Sequence, residues 1–120
     1  MKDFFNKLLE VKEISYQMHL VAKNNHYATH IALEKFHDDL HEQIDLIIEV
    51  YQGQYGLIED FGLFSGVDSS DIVKYYEGFA KYLQSSRDEL IKEENRHFDT
   101  FFDELLIITY LLIYKLKFLK

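Results

Sequence analysis

The fold is decided by residues 30–49, HIALEKFHDDLHEQIDLIIE, in which apolar side chains recur every three or four positions. At about 100° per residue these side chains fall within an arc of roughly 80°, the face that an amphipathic helix turns towards a core. The apolar arc, continued one turn further, consists of Leu33, Phe36, Leu40, Ile44, Ile47 and Tyr51. The stretch therefore predicts a long helix, over about residues 26–52, with one buried face.

A second band of the same helix carries imidazoles and carboxylates away from the apolar arc. Its members are His30, Glu34, His37, Asp38, His41, Asp45 and Glu49. Glu34 and Asp45 point in the same direction, but about 16 Å separates them along the helix axis. One ion therefore cannot contact both carboxylates within a single helix.

The residues of this band pair with one another when two copies of the helix pack antiparallel about a two-fold axis between residues 39 and 40. This axis pairs His30 with Glu49 of the other copy, and Glu34 with Asp45 of the other copy. An isologous interface has this self-complementary form. Two carboxylates at close range need a shared proton or a cation between them. The pattern therefore predicts a homodimer through the second helix, with a cation bound at its interface.

The donor set of this predicted site consists of imidazole nitrogen and carboxylate oxygen, with no sulfur. Such a set suits Fe(II), Zn or Mn. The simpler alternative is that the band is a solvated helix face, which is what a charged band opposite an apolar stripe usually is. The two interpretations stay open at this point.

Two Glu-x-x-His motifs, Glu34 to His37 and Glu94 to His97, raise a rival site in the bundle interior. Carboxylate-bridged di-iron bundles bring such motifs from two helices together. His97 is expected in the first turn of its helix, whereas His37 lies well inside its own, so the motifs miss each other by more than about 10 Å. The interior site is therefore the less favoured prediction.

Composition narrows the class of protein. The 120 residues suffice for a single domain, over residues 1–120. A net charge of -8 argues against a general nucleic-acid surface, because phosphate binding needs clustered Lys and Arg. The absence of cysteine excludes thiolate sites and predicts a cytoplasmic location. The strongest apolar run, residues 105–114, is too short for a membrane span and predicts a buried helix.

The rest of the chain predicts three further helices. The sequence contains no proline, and four of its five glycines fall between residues 53 and 66, which predicts one long connection there. Helical periodicity covers residues 2–22, 70–92 and 95–119. Asp68, Ser69 or Ser70 is expected to cap the third helix. We therefore expect an all-α, ferritin-like four-helix bundle with one crossover connection between helices 2 and 3.

His19 lies on the last turn of the first helix, near the start of the second and level with His30. By itself such a residue is more often a half-buried structural histidine than a ligand. The spacing of these two histidines and of three acids on the second helix resembles the ferroxidase motif of the Dps-type miniferritins. In that motif two histidines and an acid of one subunit meet an Asp and a Glu of its two-fold mate. The residues that carry the resemblance are His19, His30, Glu34, Asp45 and Glu49.

The segment HYATHIALEKFHDDLHEQIDLIIEVYQGQYG, residues 26–56, is also similar to that of small ferritin-like proteins encoded by tailed phages. These resemblances imply that the five residues are metal ligands, three from one chain and two from its mate. They imply Fe(II) binding, ferroxidase activity with peroxide or oxygen, and storage in a hollow homo-oligomer that reaches a dodecamer in the family. For a phage-encoded protein the location is the host cytoplasm. The alternative function is a catalytically inert helical module that keeps the fold and binds a phage or host protein through its acidic band.

Overall fold

The computed structural model describes residues 1–22, 27–61 and 71–119. Over these residues the chain is helical and contains no strand, which confirms the all-α prediction. The four helices are α1 (Lys2–Ala22), α2 (Tyr27–Tyr55), α3 (Ile72–Leu90) and α4 (Asp99–Phe118), and a short 3-10 helix (Glu93–Phe98) precedes α4.

The predicted apolar stripe of α2 forms its buried face. Leu33 and Leu40 are fully buried, and Tyr51 at the end of the stripe is half-buried. The other helices meet α2 with residues of the same kind, and Phe4 of α1 stacks on Phe102 of α4 with ring centroids 5.0 Å apart. One apolar core therefore holds all four helices.

The second helix ends later than predicted, at Tyr55 rather than at residue 52. Packing of the ring of Tyr51 against Phe5 of α1 and against Tyr55 keeps the last turns helical through Gly53. The helix ends at Gly56, whose φ of 102° lies in the left-handed region that glycine adopts without a steric cost. The prediction placed the end at the wrong glycine.

The boundary between α3 and α4 also differs from the prediction, because α4 begins at Asp99 and not at residue 95. Asn95 is buried and has a non-helical backbone, with φ -128° and ψ 28°. Its side-chain oxygen accepts a hydrogen bond from the Lys92 backbone at 2.7 Å, and its amide donates to the Leu90 carbonyl at 3.2 Å. This one side chain ties the end of α3 to the 3-10 helix.

The third helix begins at Ile72, two residues later than predicted. Asp71 caps it, because its carboxylate accepts a hydrogen bond from the Lys74 backbone N–H at 3.0 Å. Asp68, Ser69 and Ser70, the expected capping residues, lie outside the described residues.

α1 and α2 run antiparallel. Phe5 near the start of α1 contacts Tyr51 near the end of α2, with ring centroids 5.1 Å apart. At the opposite end of the pair, His19 stacks on His30. The short link between the two helices therefore leaves two histidines in contact at one end of the bundle.

α1 and α3 are antiparallel as well. Phe4 stacks on Tyr82, whereas Ser15, further along α1, lies 2.6 Å from the hydroxyl of Tyr76, which comes earlier in α3. Because α1 runs opposite to both α2 and α3, these two helices run in the same direction. α2 therefore ends at the opposite end of the bundle from the start of α3.

α4 packs between α2 and α3. The apolar run predicted to be a buried helix is buried on one face only, because Leu105 and Leu112 are in the core while Ile107 and Tyr110 are half exposed. Across the described residues, no helix combines the length and the apolar character that crossing a membrane requires.

Candidate metal centre

His19 and His30 join the end of α1 to the start of α2. Their rings stack with centroids 3.9 Å apart and planes inclined by 19°. The Nδ1 atom of His19 lies 3.1 Å from the carbonyl oxygen of His30, and the Nδ1 atom of His30 lies 3.0 Å from the carbonyl oxygen of His19. The two residues therefore make a reciprocal pair of hydrogen bonds across the helix pair.

These hydrogen bonds determine which ring nitrogen is free. A carbonyl oxygen only accepts, so both Nδ1 atoms carry the hydrogen, and in the neutral rings of His19 and His30 the Nε2 atoms keep their lone pairs. Histidines that bind metals usually donate their other ring N–H to a carbonyl or carboxylate, which fixes both tautomer and orientation. Nε2 is therefore the ring nitrogen that these hydrogen bonds leave to each imidazole for binding a cation.

Glu34 completes a group of three ligand-type side chains. It lies one helical turn after His30, and its Oε2 atom is 3.9 Å from the Nε2 atom of that histidine. The ligand atoms of His19, His30 and Glu34 all lie within 4.8 Å of one another. Ligands at about 2.0–2.2 Å from one ion stand up to roughly 4 Å apart, so the three ligand atoms would have to move closer together to share one cation.

The site is open on one side. The two histidines are half-buried, whereas Glu34 faces the surface with half of its side chain exposed. Three ligands leave a bound cation with free positions in its coordination sphere.

Asp45 and Glu49, the other two predicted ligands, lie further along the outer surface of α2. Both are exposed, and Asp45 pairs with His41, whose Nε2 atom is 3.7 Å from its carboxylate. Asp45 lies about 16 Å along the helix from Glu34, too far to share an ion with it in one chain. One chain therefore brings together three of the five predicted ligands, and the contribution of a second copy stays a prediction.

The remaining histidines of the band have local partners. The Nδ1 atom of His37 is 3.2 Å from the carboxylate of Asp38, and the Nδ1 atom of His41 is 3.3 Å from the ammonium of Lys12. Their rings are parallel but 6.4 Å apart. They flank the group of three without joining it.

Tyr16 is a neighbour of the site that the sequence did not single out. Its exposed ring lies 6.1 Å from the ring of His19 and 5.4 Å from that of His37, measured between centroids. The spacing of three residues between Tyr16 and His19 on one helix was the available signal. Its contact with His37 depends on how α1 packs against α2, which the spacing does not give.

The rival motif occupies the other end of the bundle. His97 lies in the 3-10 helix, not in the first turn of α4, and its Nε2 atom is 2.9 Å from the side-chain oxygen of Gln54. The amide of Gln54 donates to the carbonyl oxygen of Glu94 at 2.7 Å. Gln54 follows His37 by about 25 Å along α2, so the two Glu-x-x-His motifs do not share a site.

Comparisons with curated proteins and with solved structures gave no match. A protein family does match, over residues 19–116, and its description is a family of unknown function, DUF5856. The matched residues include all five predicted ligands and the whole of α2, α3 and the 3-10 helix. The chain belongs to this family, DUF5856.

Proposed function

We propose that this protein is a ferritin-like, Dps-type protein that binds iron or a similar divalent ion between two copies of the chain. His19, His30 and Glu34 of one copy bind the ion together with Asp45 and Glu49 of the other. The observation that carries the proposal is the reciprocal pair of Nδ1 hydrogen bonds, together with ligand-type atoms of His19, His30 and Glu34 that lie within 4.8 Å of one another.

The direction of the helices supports the ferritin-like part of the proposal. α1 runs antiparallel to both α2 and α3, so α2 and α3 are parallel. A parallel second and third helix needs one long connection, as in ferritin-like bundles. A simple up-down-up-down bundle would have placed them antiparallel.

The side chains on the outer face of α2 support the proposal that two copies pair about a two-fold axis. Besides its acids, this face exposes two large apolar side chains, Ile31 and Leu46. The same axis that pairs Glu34 with Asp45 brings Ile31 of one copy to within about 3 Å, along the helix, of the level of Leu46 of the other. An interface with polar ligands thereby also gains apolar contact at the same place.

The donor set is suited to iron. Two neutral imidazoles and up to three carboxylates neutralise the charge of a divalent ion and provide nitrogen and oxygen without sulfur, as Fe(II), Zn and Mn prefer. Iron in this site is the substrate. Two Fe(II) ions each give one electron to a peroxide, whose O–O bond breaks to leave two hydroxide ions and two Fe(III). The half-exposed Glu34 keeps the site open to entering iron.

The test is a pair of neutralising double variants, studied in protein purified without a metal-chelating tag. In Glu34→Gln with Asp45→Asn, we expect loss of bound metal and weaker dimerisation, because the cation that joins the copies is gone. The matched control, Asp88→Asn with Glu89→Gln, neutralises two exposed acids of α3, outside the proposed interface, and should keep both properties. If the first variant instead dimerises more strongly and binds metal as before, the carboxylates only repel and the proposal is wrong.

A second function, from a different class, is a non-catalytic helical module that binds a phage or host protein. The exposed acidic outer face of α2 is the observation in its favour. Absence of bound Fe, Zn and Mn, together with a melting temperature that Fe(II) does not change, would favour this module over the metal-binding protein.

A further inference from the structure

The outer face of α4 is apolar, and the parts of the chain that the structure describes leave it uncovered. Five of its large side chains are exposed by 51% to 68%: Ile107, Tyr110, Leu111, Tyr114 and Phe118. Their spacing of three and four residues makes them one stripe, which we call the α4 stripe. With on the order of 100 Å² exposed per residue, the stripe presents about 500 Å² in one patch. The largest apolar patch on a typical monomer is of this size and is often functional.

Charged residues flank the α4 stripe, with acids near its start and bases near its end. Asp103 and Glu104 lie on the turn before it, and Lys115 and Lys117 lie on its last turn. At about 100° per residue, Glu104 and Lys115 lie on one side of the stripe, whereas Asp103 and Lys117 lie on the other. Each side of the stripe thus carries an acid at one end and a base at the other.

The charged residues on the two sides of the stripe differ in whether they already form ion pairs. Asp103 pairs with Arg87, and Lys117 lies 3.3 Å from Glu77. On the other side, no ion pair within the described parts of the chain uses Glu104 or Lys115. One acid and one base beside an apolar stripe are therefore available to a partner.

We propose that the α4 stripe binds the α4 stripe of a second copy, antiparallel, about a two-fold axis near residue 110. The midpoint between Glu104 and Lys115 and that between Asp103 and Lys117 both fall at this position, so one axis brings acid to base on both sides. A parallel pair would set acid against acid and base against base. About 500 Å² from each copy gives roughly 1,000 Å² of buried surface, the size at which specific interfaces begin.

This interface is separate from the one proposed on α2, and together they define an assembly. Lys35 and Phe36 of α2 lie against Leu111 and Leu112 of α4, which places the two proposed axes within about 4 Å of the same level along the bundle. Two intersecting two-fold axes generate a closed assembly of more than two copies, which is a tetramer when the axes are perpendicular. An assembly larger than a dimer rests on the proposed function, since it uses the α2 dimer, whereas the α4 contact does not.

The first test measures mass by sedimentation equilibrium. We expect Leu111→Lys to reduce the assembly to the dimer formed through α2, and Leu57→Lys, which changes an 80% exposed leucine outside the stripe, to leave its mass unchanged. A folded Leu111→Lys protein with the mass of the unsubstituted chain overturns the proposal. If the unsubstituted chain is a dimer and Leu111→Lys is a monomer, the α4 interface stands and the α2 dimer is refuted.

Charge exchange tests the interface without touching its apolar residues. Glu104→Lys and Lys115→Glu should each weaken association about tenfold or more, because each opposes like charges across the axis, and the double exchange should restore it. Failure of the double exchange to restore association counts against the antiparallel arrangement.

The chain contains no cysteine, so a single introduced thiol gives an unambiguous cross-link. Tyr110→Cys, near the axis, should form a disulfide with itself on oxidation, whereas Asp88→Cys on the exposed side of α3 should not. The cross-link should persist in Glu34→Gln with Asp45→Asn, which separates this interface from the metal site. Equal cross-linking of the two cysteine variants overturns the proposal.

Discussion

The two Glu-x-x-His motifs of this chain have the same spacing and different surroundings. Glu34, of the first motif, lies beside two histidines from the ends of two helices, and its atoms and theirs lie within 4.8 Å. His97, of the second, binds the side chain of Gln54 instead. The spacing alone did not distinguish them. The two motifs differ in their neighbours: the end of α1 places His19 beside Glu34, whereas the end of α2 places Gln54 beside His97.

The two ends of the bundle also use different ring nitrogens. At the His19 end both Nδ1 atoms donate to carbonyl oxygens, and the Nε2 atom of His30 lies 3.9 Å from the carboxylate of Glu34. At the other end the Nε2 atom of His97 donates to Gln54, so this nitrogen is not available as a ligand. The first arrangement suits a metal site, and the second suits a structural joint between α2 and the start of α4.

The largest expected effect comes from removing both imidazoles of the first end. His19→Ala with His30→Ala should weaken Zn(II) binding by at least about 100-fold, or about 2.7 kcal/mol, because two of the three ligands of each chain are lost. His97→Ala should leave the affinity unchanged. Calorimetric titration measures both, and a comparable loss in His97→Ala would mean that the comparison between the two ends is mistaken.

A smaller effect is expected at the joint between α3 and α4. Asn95→Ala should lower the free energy of unfolding by about 1–3 kcal/mol, because the Lys92 N–H and the Leu90 carbonyl lose their partner in a buried place. Metal affinity should stay the same, since this joint lies at the end opposite to the site. Urea unfolding measures the first quantity, and an unchanged midpoint would show that Asn95 is not a structural tie.

Tyr76→Phe should cost about 1 kcal/mol at neutral pH, because it removes the hydrogen bond to Ser15 that joins α1 and α3. Burial raises the pKa of Tyr76, against a weaker opposing effect of that hydrogen bond. An unfolded chain releases a phenol proton near pH 10, whereas the folded chain keeps it, so stability falls as the pH rises above about 10.

The Phe variant should therefore lose less stability than the unsubstituted chain on going from pH 9 to pH 11. Tyr75 and Tyr82 contribute in the same direction, because burial raises the pKa of both. Denaturant melts at a series of pH values measure the slope. Identical slopes in the two proteins would contradict the assignment to Tyr76.

The smallest effect is expected for Gln54→Ala. Its hydrogen bonds to His97 and Glu94 are at the surface, where each contributes little, so the loss should be about 0.5–1 kcal/mol. Zn(II) affinity should not change. A thermal melt checks the first value, and a shift as large as that of Asn95→Ala would mean that the exposed joint is stronger than its surroundings suggest.

Periodicity was sufficient to predict the helices and the buried face of α2, because residues such as Leu33 and Leu40 recur at the helical spacing. The ends of helices were predicted less well. Gly53 and Gly56 look alike in the sequence, and only packing of Tyr51 shows that the chain stays helical past the first. The turn at Asn95 depends on two side-chain hydrogen bonds that the sequence pattern does not predict.

The site was predictable in part for a similar reason. The short link between the first two helices implied that His19 and His30 lie level, and they are in contact. The exchange of Nδ1 hydrogen bonds with each other's carbonyl oxygens depends on the distance and tilt between α1 and α2, to within a few tenths of an ångström. Sequence spacing does not contain that information.

The most direct test of the metal site is a crystal structure of protein soaked with Fe(II) or Zn(II), with anomalous data collected at the metal edge. The proposal predicts one peak at about 2.0–2.2 Å from the Nε2 atoms of His19 and His30, with Glu34 beside it and Asp45 or Glu49 of a second copy completing the shell. A monomer whose histidines and Glu34 face solvent with no anomalous peak between them would contradict it.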